Sequence, residues 1–257
     1  MSYHPEALYF LSMGDKEDTE LPWQTCVAAV EPYVVRLSTP GGWGTGFLLG
    51  YSKDSNLVGF ATAAHVVQHA HMWEDPIRID HISIGETRLL RAPDRAISLD
   101  SDHDTAVIIT MNTSPNLPKV RLALAPQGKH LTVGNEIGWL GFPAIPAASL
   151  CFFSGRVSAW VPAMDAYLVD GNAINGVSGG PAFAVVENDI HLIGVVSAYV
   201  PNRATGETLP GLAIVRSVEP LQTEVARLTS FGEAKSEETP PSKDLPPLPA
   251  GATPTRG

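Results

Sequence analysis

Cysteine is nearly absent. The 257-residue chain holds two, Cys26 and Cys151, and neither belongs to a C-x-x-C pair. That spacing argues against a thiolate metal site, and one conceivable pair is thin support for an exported, disulfide-stapled domain. Positive charge is also scarce: 17 Lys and Arg face 27 Asp and Glu, a formal net charge of −10, with no run of basic residues. Binding a phosphate backbone needs clustered cations, so nucleic acid is excluded as a main partner. An anionic membrane surface is disfavoured for the same reason. No apolar run reaches the roughly 18 residues of a spanning helix. The first twenty residues carry a short apolar patch without a basic flank, which does not read as a secretory signal. These absences together predict a cytoplasmic, reduced protein with no membrane partner.

Turn formers are plentiful. The chain has 23 glycines and 22 prolines in a sequence that is 44% hydrophobic. That many breaks predict many short strands. Residues 1–26 read as an N-terminal arm. From Val27 apolar runs recur at regular spacing between turn signals: VVRLS (34–38), GTGFLLGY (44–51), LVGFATAA (57–64), IRIDHISIG (77–85), ETRLLRA (86–92), TAVIITM (105–111) and VRLALA (120–125). The second half repeats the style with EIGWLGF (136–142), CFFSGRVSAW (151–160), AYLVDG (166–171), GPAFAVV (180–186), HLIGVVSAYV (191–200) and GLAIV (211–215). Such spacing favours all-β barrels or sandwiches. Leu221, Val225 and Leu228 have helical spacing, and a proline opens that segment, as suits a first helical turn. A helix is expected over 220–231. Beyond it, 233–257 holds six prolines in 25 residues with few large apolar groups, so it cannot offset its ordering entropy and reads as a disordered tail.

The densest cluster of turn formers, NAINGVSGGPAF (172–183), surrounds a single serine, Ser178. A serine hydroxyl keeps its proton at neutral pH and is a poor nucleophile without a base in reach and a third group to orient that base. It also needs donors aimed at the oxygen that becomes negative. The turn supplies these itself, from the backbone N–H groups of Gly176 and Ser178. The base candidate is His65 in FATAAHVV, at the exit of an apolar run. A metal reading of His65, His69 and His71 lacks an acidic ligand pattern. The acid candidate is Asp104 in SDHDTAVIIT, just ahead of a buried-looking strand, with Asp100 and Asp102 as rivals in the same turn.

In that order, with GTGF (44–47), TAAHVV (62–67), HDTAVI (103–108), GFP (141–143), GVSGGP (176–181), GVVSAY (194–199) and PGLAIV (210–215), the chain resembles the trypsin/chymotrypsin-like serine peptidases. AVEPYVVRLST and the AIN before the serine loop make it most similar to the HtrA/Deg-like branch, here with no PDZ domain expected after the tail. The resemblance implies two packed six-stranded β-barrels, about 27–118 and 131–218, within a peptidase domain over 27–232. It implies a serine endopeptidase acting on protein or peptide substrates without a cofactor, with His65, Asp104 and Ser178 as the triad. It makes Ser197 the serine that hydrogen-bonds the aspartate, and Ser197, Ala198 and Tyr199 the strand that pairs with substrate. Asn172 falls near the pocket floor, with Tyr199 and Gly211 as walls. A neutral floor implies no strong preference for Arg or Lys. Tyr199 in place of a small residue implies a shallow pocket for small or medium apolar P1 side chains, although a two-residue slip would put Asp170 at the floor. Regulated relatives hold the oxyanion loop collapsed until a partner binds, and the glycines of 175–180 are compatible with a regulatory protein partner. Where many secreted members carry an activating aspartate, this chain has Val177, so activation by N-terminal trimming through that ion pair is not expected. A catalytically silent scaffold that binds a partner is the alternative, and an esterase is a third reading.

Overall fold

The computed structural model describes residues 21–145, 149–201 and 208–237, with the backbone alone for 198–201, 208–210 and 232–237. The first body holds helix α1 (Trp23–Val30), strands β1 (Val34–Thr39), β2 (Gly42–Tyr51) and β3 (Leu57–Thr62), helix α2 (Ala64–Met72), and strands β4 (Ile77–His81), β5 (Glu86–Leu90), β6 (Arg95–Asp100) and β7 (Thr105–Met111). The second holds β8 (Ala123–Leu124), β9 (Glu136–Gly141), β10 (Cys151–Val161), β11 (Ala166–Asp170), β12 (Pro181–Val186), β13 (Asp189–Pro201) and β14 (Thr208–Ser217), followed by helix α3 (Glu219–Glu237). The arm over 1–20 and the proline-rich stretch from 238 lie outside the described residues.

Each body is one curled antiparallel sheet, with a single parallel addition. The first runs in the order β5-β4-β1-β2-β3-β7-β6. The second runs β12-β9-β10-β11-β14-β13-β8, and an added β12–β13 pairing closes six of its strands into a barrel. β8 pairs in parallel with β13 and stands outside that ring. The all-β architecture expected from the spacing is therefore present. The first sheet carries a seventh strand because β6 pairs along the whole of β7. No residue of β6 is fully buried, so its apolar signal is too weak to mark it as a strand.

Alternation decides which side chains face which layer. Leu48, Phe60 and Ile108 fill the interior of the first sheet. Phe47, Leu49, Ala61, Val107 and Ile109, one residue out of step, join the large core shared with the second barrel and the helices. Strands buried on both faces read as continuous apolar runs rather than alternating ones, which is the texture of LVGFATAA and TAVIITM. Helix α3 leaves the second barrel and returns over the first. Its Leu228 sits where a Cβ on Gly59 would lie, 2.9 Å from that position, so the glycine in β3 admits the helix.

Two helices depart from the strand expectations. α1 spans the junction of the arm and the first strand, burying Cys26 and Val30 four residues apart on one face. Its Trp23 packs on Phe152 and Phe183 of the second barrel at 5.3 and 5.9 Å. α2 begins where LVGFATAA was expected to continue as strand. Its buried residues Ala64, Val67 and Ala70 recur every third position, a helical period. VRLALA contributes only two paired residues, and Val120 is exposed. The C-terminal helix, expected over 220–231, runs from Glu219 to Glu237.

Candidate active site

Histidine, aspartate and serine come from three different elements and are linked through Ser197. His65 lies in the first turn of α2. Asp104 closes the turn before β7 with φ +49°, a left-handed conformation that aspartate tolerates better than most side chains. Its carbonyl accepts the Ala64 N–H at 3.1 Å, and its Oδ1 accepts the His65 N–H at 3.0 Å. Asp104 thus caps the helix that carries the histidine, and a carboxylate is favoured by the helix dipole at that end. The same carboxylate contacts the ring: Oδ2 lies 2.9 Å and Oδ1 3.0 Å from His65 Nδ1. The rivals do other work. Asp100 accepts the N–H groups of Asp102 and His103 and pairs with the His103 ring at 2.7 Å.

The third acceptor contact of Asp104 is a short hydrogen bond donated by the Ser197 hydroxyl to Oδ2. Ser197 is buried in β13. Burial pushes the Asp104 carboxyl up, but the bonds from the His65 ring, the Ser197 hydroxyl and the His65 backbone more than offset it. The net result holds Asp104 below the ordinary carboxylate range. A depressed folded-state pKa means the ionised form stabilises the fold above the unfolded value of about 3.9, and that contribution is lost as pH falls through the folded value. Ser197→Ala removes one of the lowering bonds. We expect the Asp104 titration, followed by carbon NMR of the carboxyl, to move up and acid unfolding to begin at higher pH. An unmoved titration would contradict the role given to this bond.

Ser178 sits in a loop tied to both bodies. Its carbonyl accepts the Thr45 N–H at 2.8 Å, Gly179 N–H donates to Val196 at 2.7 Å, and Val196 N–H donates to Gly180 at 3.0 Å. The Ser178 hydroxyl donates to the Ser197 carbonyl at 3.0 Å. Among the described residues it forms no hydrogen bond with the His65 ring. The two are nevertheless drawn together at Gly44, where a Cβ would stand 2.7 Å from Val66, the residue after His65, and 3.1 Å from the Ser178 carbonyl. Catalytic hydrogen bonds are often long in unliganded sites, and a serine rotamer exchanges in picoseconds to nanoseconds.

The loop around Gly176 is held by its carbonyls. Asn175 C=O accepts the Ala144 N–H at 2.6 Å, and Gly176 C=O accepts the Thr45 hydroxyl at 2.8 Å. Among the described residues the N–H groups of Gly176 and Ser178 have no acceptor. Gly176 takes φ +90°, and a Cβ there would collide with the Phe142 carbonyl, so both geometry and space require glycine. Val177, between them, is fully buried in the main core. An apolar plug therefore anchors the turn. Val177→Asp would bury an unpaired carboxylate, which should cost at least about 3 kcal/mol. For a chain of this size that is a Tm drop of about 6–12 °C, measurable by calorimetry. A wild-type Tm in the variant would show that the position can open to water.

The remaining predicted residues flank this centre. Asn172 is exposed on the loop after β11, and the preceding Gly171 N–H donates to Gly211 C=O at 2.9 Å. Ala198 and Tyr199 pair with Ile214 and Ala213 of β14, and their side chains lie outside the description. Asp170 Oδ1 lies 3.9 Å from the position of a Gly211 Cβ. The histidines of α2 form no metal cluster: among the described residues no group of three or more His, Cys, Asp or Glu is placed to hold an ion. No helix of the described residues is long and apolar enough to cross a membrane. Sequence reasoning missed Thr45, although it quoted the residue within GTGF. A threonine between two glycines in an otherwise apolar strand was the available signal.

Comparison with known proteins bears on the family and the fold. Residues 44–195 match the family described as trypsin-like peptidase domain. No curated protein matches significantly. Among solved structures, Deg5 is similar at 20% identity with a TM-score of 0.59, covering 81% of this chain and 94% of its own. The inactive form of the Rv3671c protease is similar at 20% identity and a TM-score of 0.54, covering 79% and 91%. An inactive serine-to-alanine mutant of Rv3671c from M. tuberculosis H37Rv matches at the same identity and TM-score, over 79% and 89%. At that identity these structures speak for the fold.

Proposed function

Because the chain belongs to the trypsin-like peptidase domain family, we propose that it is a serine endopeptidase working through Ser178, His65 and Asp104. The observation that carries this reading is the Asp104 carboxylate, which joins the His65 ring to Ser197 while the Ser197 carbonyl holds the Ser178 hydroxyl. An ionised carboxylate only accepts hydrogen bonds. Facing Nδ1, it keeps the neutral imidazole protonated there and leaves the Nε2 lone pair for the serine proton. Ser178 Oγ turns from the Ser197 carbonyl to His65, loses its proton to Nε2 and attacks the scissile carbonyl. The imidazolium, stabilised by Asp104, then protonates the leaving amine, and water repeats the cycle on the acyl-enzyme. The N–H groups of Gly176 and Ser178 receive the developing oxyanion.

The substrate is a protein or peptide with a small or medium apolar P1 side chain. The neutral Asn172 supports an uncharged P1 side chain, and the fully buried Trp139, whose indole lies 2.5 Å from the position of a Cβ on adjoining Gly171, supports a shallow pocket. Dominant cleavage after Arg or Lys in a peptide library would overturn it. Both cysteines are free, which supports a reducing compartment such as the cytoplasm. A silent binding scaffold is the second reading, favoured by the serine hydroxyl facing Ser197 rather than the imidazole. A fluorophosphonate separates the two. The peptidase should gain one adduct, mapped by mass spectrometry to the peptide bearing Ser178; an unlabelled protein would favour the scaffold. Turnover of esters with no cleavage of any peptide would point to an esterase instead.

A further inference from the structure

We infer that Thr45 is a positioning residue for the oxyanion site, an inference that rests on the serine-peptidase reading above. Thr45 belongs to β2 of the first sheet and is fully buried, yet its hydroxyl and its backbone N–H reach into the second barrel. Its hydroxyl donates to Gly176 C=O at 2.8 Å and accepts the Phe142 N–H at 2.9 Å. Its backbone N–H donates to Ser178 C=O at 2.8 Å, and its carbonyl accepts the Thr62 hydroxyl at 2.7 Å. Every polar atom of the residue is thereby satisfied, and two of them hold the nucleophile turn at residues on either side of Val177.

A trans peptide is planar, with C=O and N–H pointing in opposite directions. The Gly176 N–H therefore points away from the side on which Asn175 C=O meets Ala144. The next peptide is fixed in the same manner, because the Thr45 hydroxyl holds the Gly176 carbonyl and so orients the Val177 N–H, which donates to Ile174 at 3.1 Å. Gly176 itself has no Cβ to resist rotation about its backbone bonds. What resists is the pair of external clamps, Ala144 N–H on one peptide and the Thr45 hydroxyl on the other. Both clamps involve the segment 142–144, since Thr45 also holds Phe142. A single hydroxyl from the first sheet thus ties together the two loops of the second that shape the site.

Loss of that hydroxyl leaves the Gly176 carbonyl and the Phe142 N–H buried and unpaired, and the turn can then recover partners by rotating a peptide. The clamped Gly176–Val177 peptide lies between the two oxyanion donors, Gly176 N–H and Ser178 N–H, so its rotation displaces them. They serve the transition state more than the bound substrate, so kcat should suffer and KM should not. Thr45→Val keeps the shape and removes the hydroxyl; Thr45→Ser keeps the hydroxyl and removes the methyl. If the hydroxyl positions the turn, Thr45→Val should lower kcat for p-nitrophenyl acetate about 100-fold, the size of a lost oxyanion donor. KM should stay within about threefold, and Thr45→Ser should retain kcat within about fivefold. Affinity for a peptidyl trifluoromethyl ketone, whose hemiketal mimics the oxyanion, should fall in step with kcat/KM. A filler role predicts the reverse order, with valine tolerated and serine impaired. Thr45→Ala against Thr45→Ser repeats the comparison without a branched side chain if the valine variant does not fold. Reactive wild type with unchanged kcat in the hydroxyl-less variants, or equal loss in the serine variant, overturns the inference alone. A wild type inert to fluorophosphonate and ester removes the peptidase reading and this inference with it.

Discussion

Ser178→Ala should lower kcat by about six orders of magnitude with the fold intact, the size of loss seen when a triad nucleophile is removed. The structural change is small. Among the described residues the hydroxyl makes one hydrogen bond, to the Ser197 carbonyl, and its loss should shift stability by only about 1 kcal/mol. The turn itself is held by backbone groups that alanine retains: Ser178 C=O on Thr45, Gly179 N–H on Val196, and Gly180 N–H on Val177. The proposed chemistry, in contrast, loses its attacking atom. His65→Ala should cost a comparable amount, and the double variant should be no worse than either single one, because base and nucleophile act as a unit. Single-turnover kinetics on a cleaved peptide would check both statements. Ser178→Ala within about a hundredfold of wild type, or a double variant that multiplies the losses, would mean that another group performs the attack.

Asp104→Asn should lower kcat by about four orders of magnitude, the cost of the wrong histidine tautomer in such a site. The amide keeps one acceptor, which continues to serve the His65 backbone N–H and the start of α2. It replaces the other with a donor. A donor facing Nδ1 demands a lone pair there and moves the imidazole proton to Nε2, where it cannot accept the serine proton. The Ser197 hydroxyl, which donates to this carboxylate, must also reverse its role. Loss of the charge at the N-terminus of α2 adds about 0.3–1 kcal/mol of destabilisation, far less than the effect on rate. A fall of less than tenfold would leave Asp104 as a helix cap and nothing more.

The three residues proposed as the triad stood out in the sequence because each brings a strong local signal. Ser178 is embedded in glycines, Asp104 precedes a mostly apolar, buried strand, and His65 follows another. Their chain order carried the family resemblance. Local signals did not say why Asp104 and not Asp100 meets the ring. All three acids of the turn have the same charge and nearly the same neighbours, and the choice depends on the left-handed backbone at Asp104 and on where α2 begins. α2 itself was missed because AHVVQHAHM follows LVGFAT without a breaker, so a strand ending reads the same as a strand continuing. β6 was missed for the opposite reason, since a half-exposed edge strand buries no complete side chain.

What the amino-acid order determined by itself was periodicity and composition: short strands between turns, a serine loop that its glycines permit, and a neutral, apolar Val177 beside that serine. Tertiary structure alone decided the partnerships across the seam. Thr45 and Gly176 are 131 residues apart, and Asp104 and Ser197 are 93 apart. A hydroxyl in a strand carries no mark of its partner until the two sheets close on one another. Burial then forces each polar atom to find one, because an unpaired buried donor or acceptor costs more than most single contacts return.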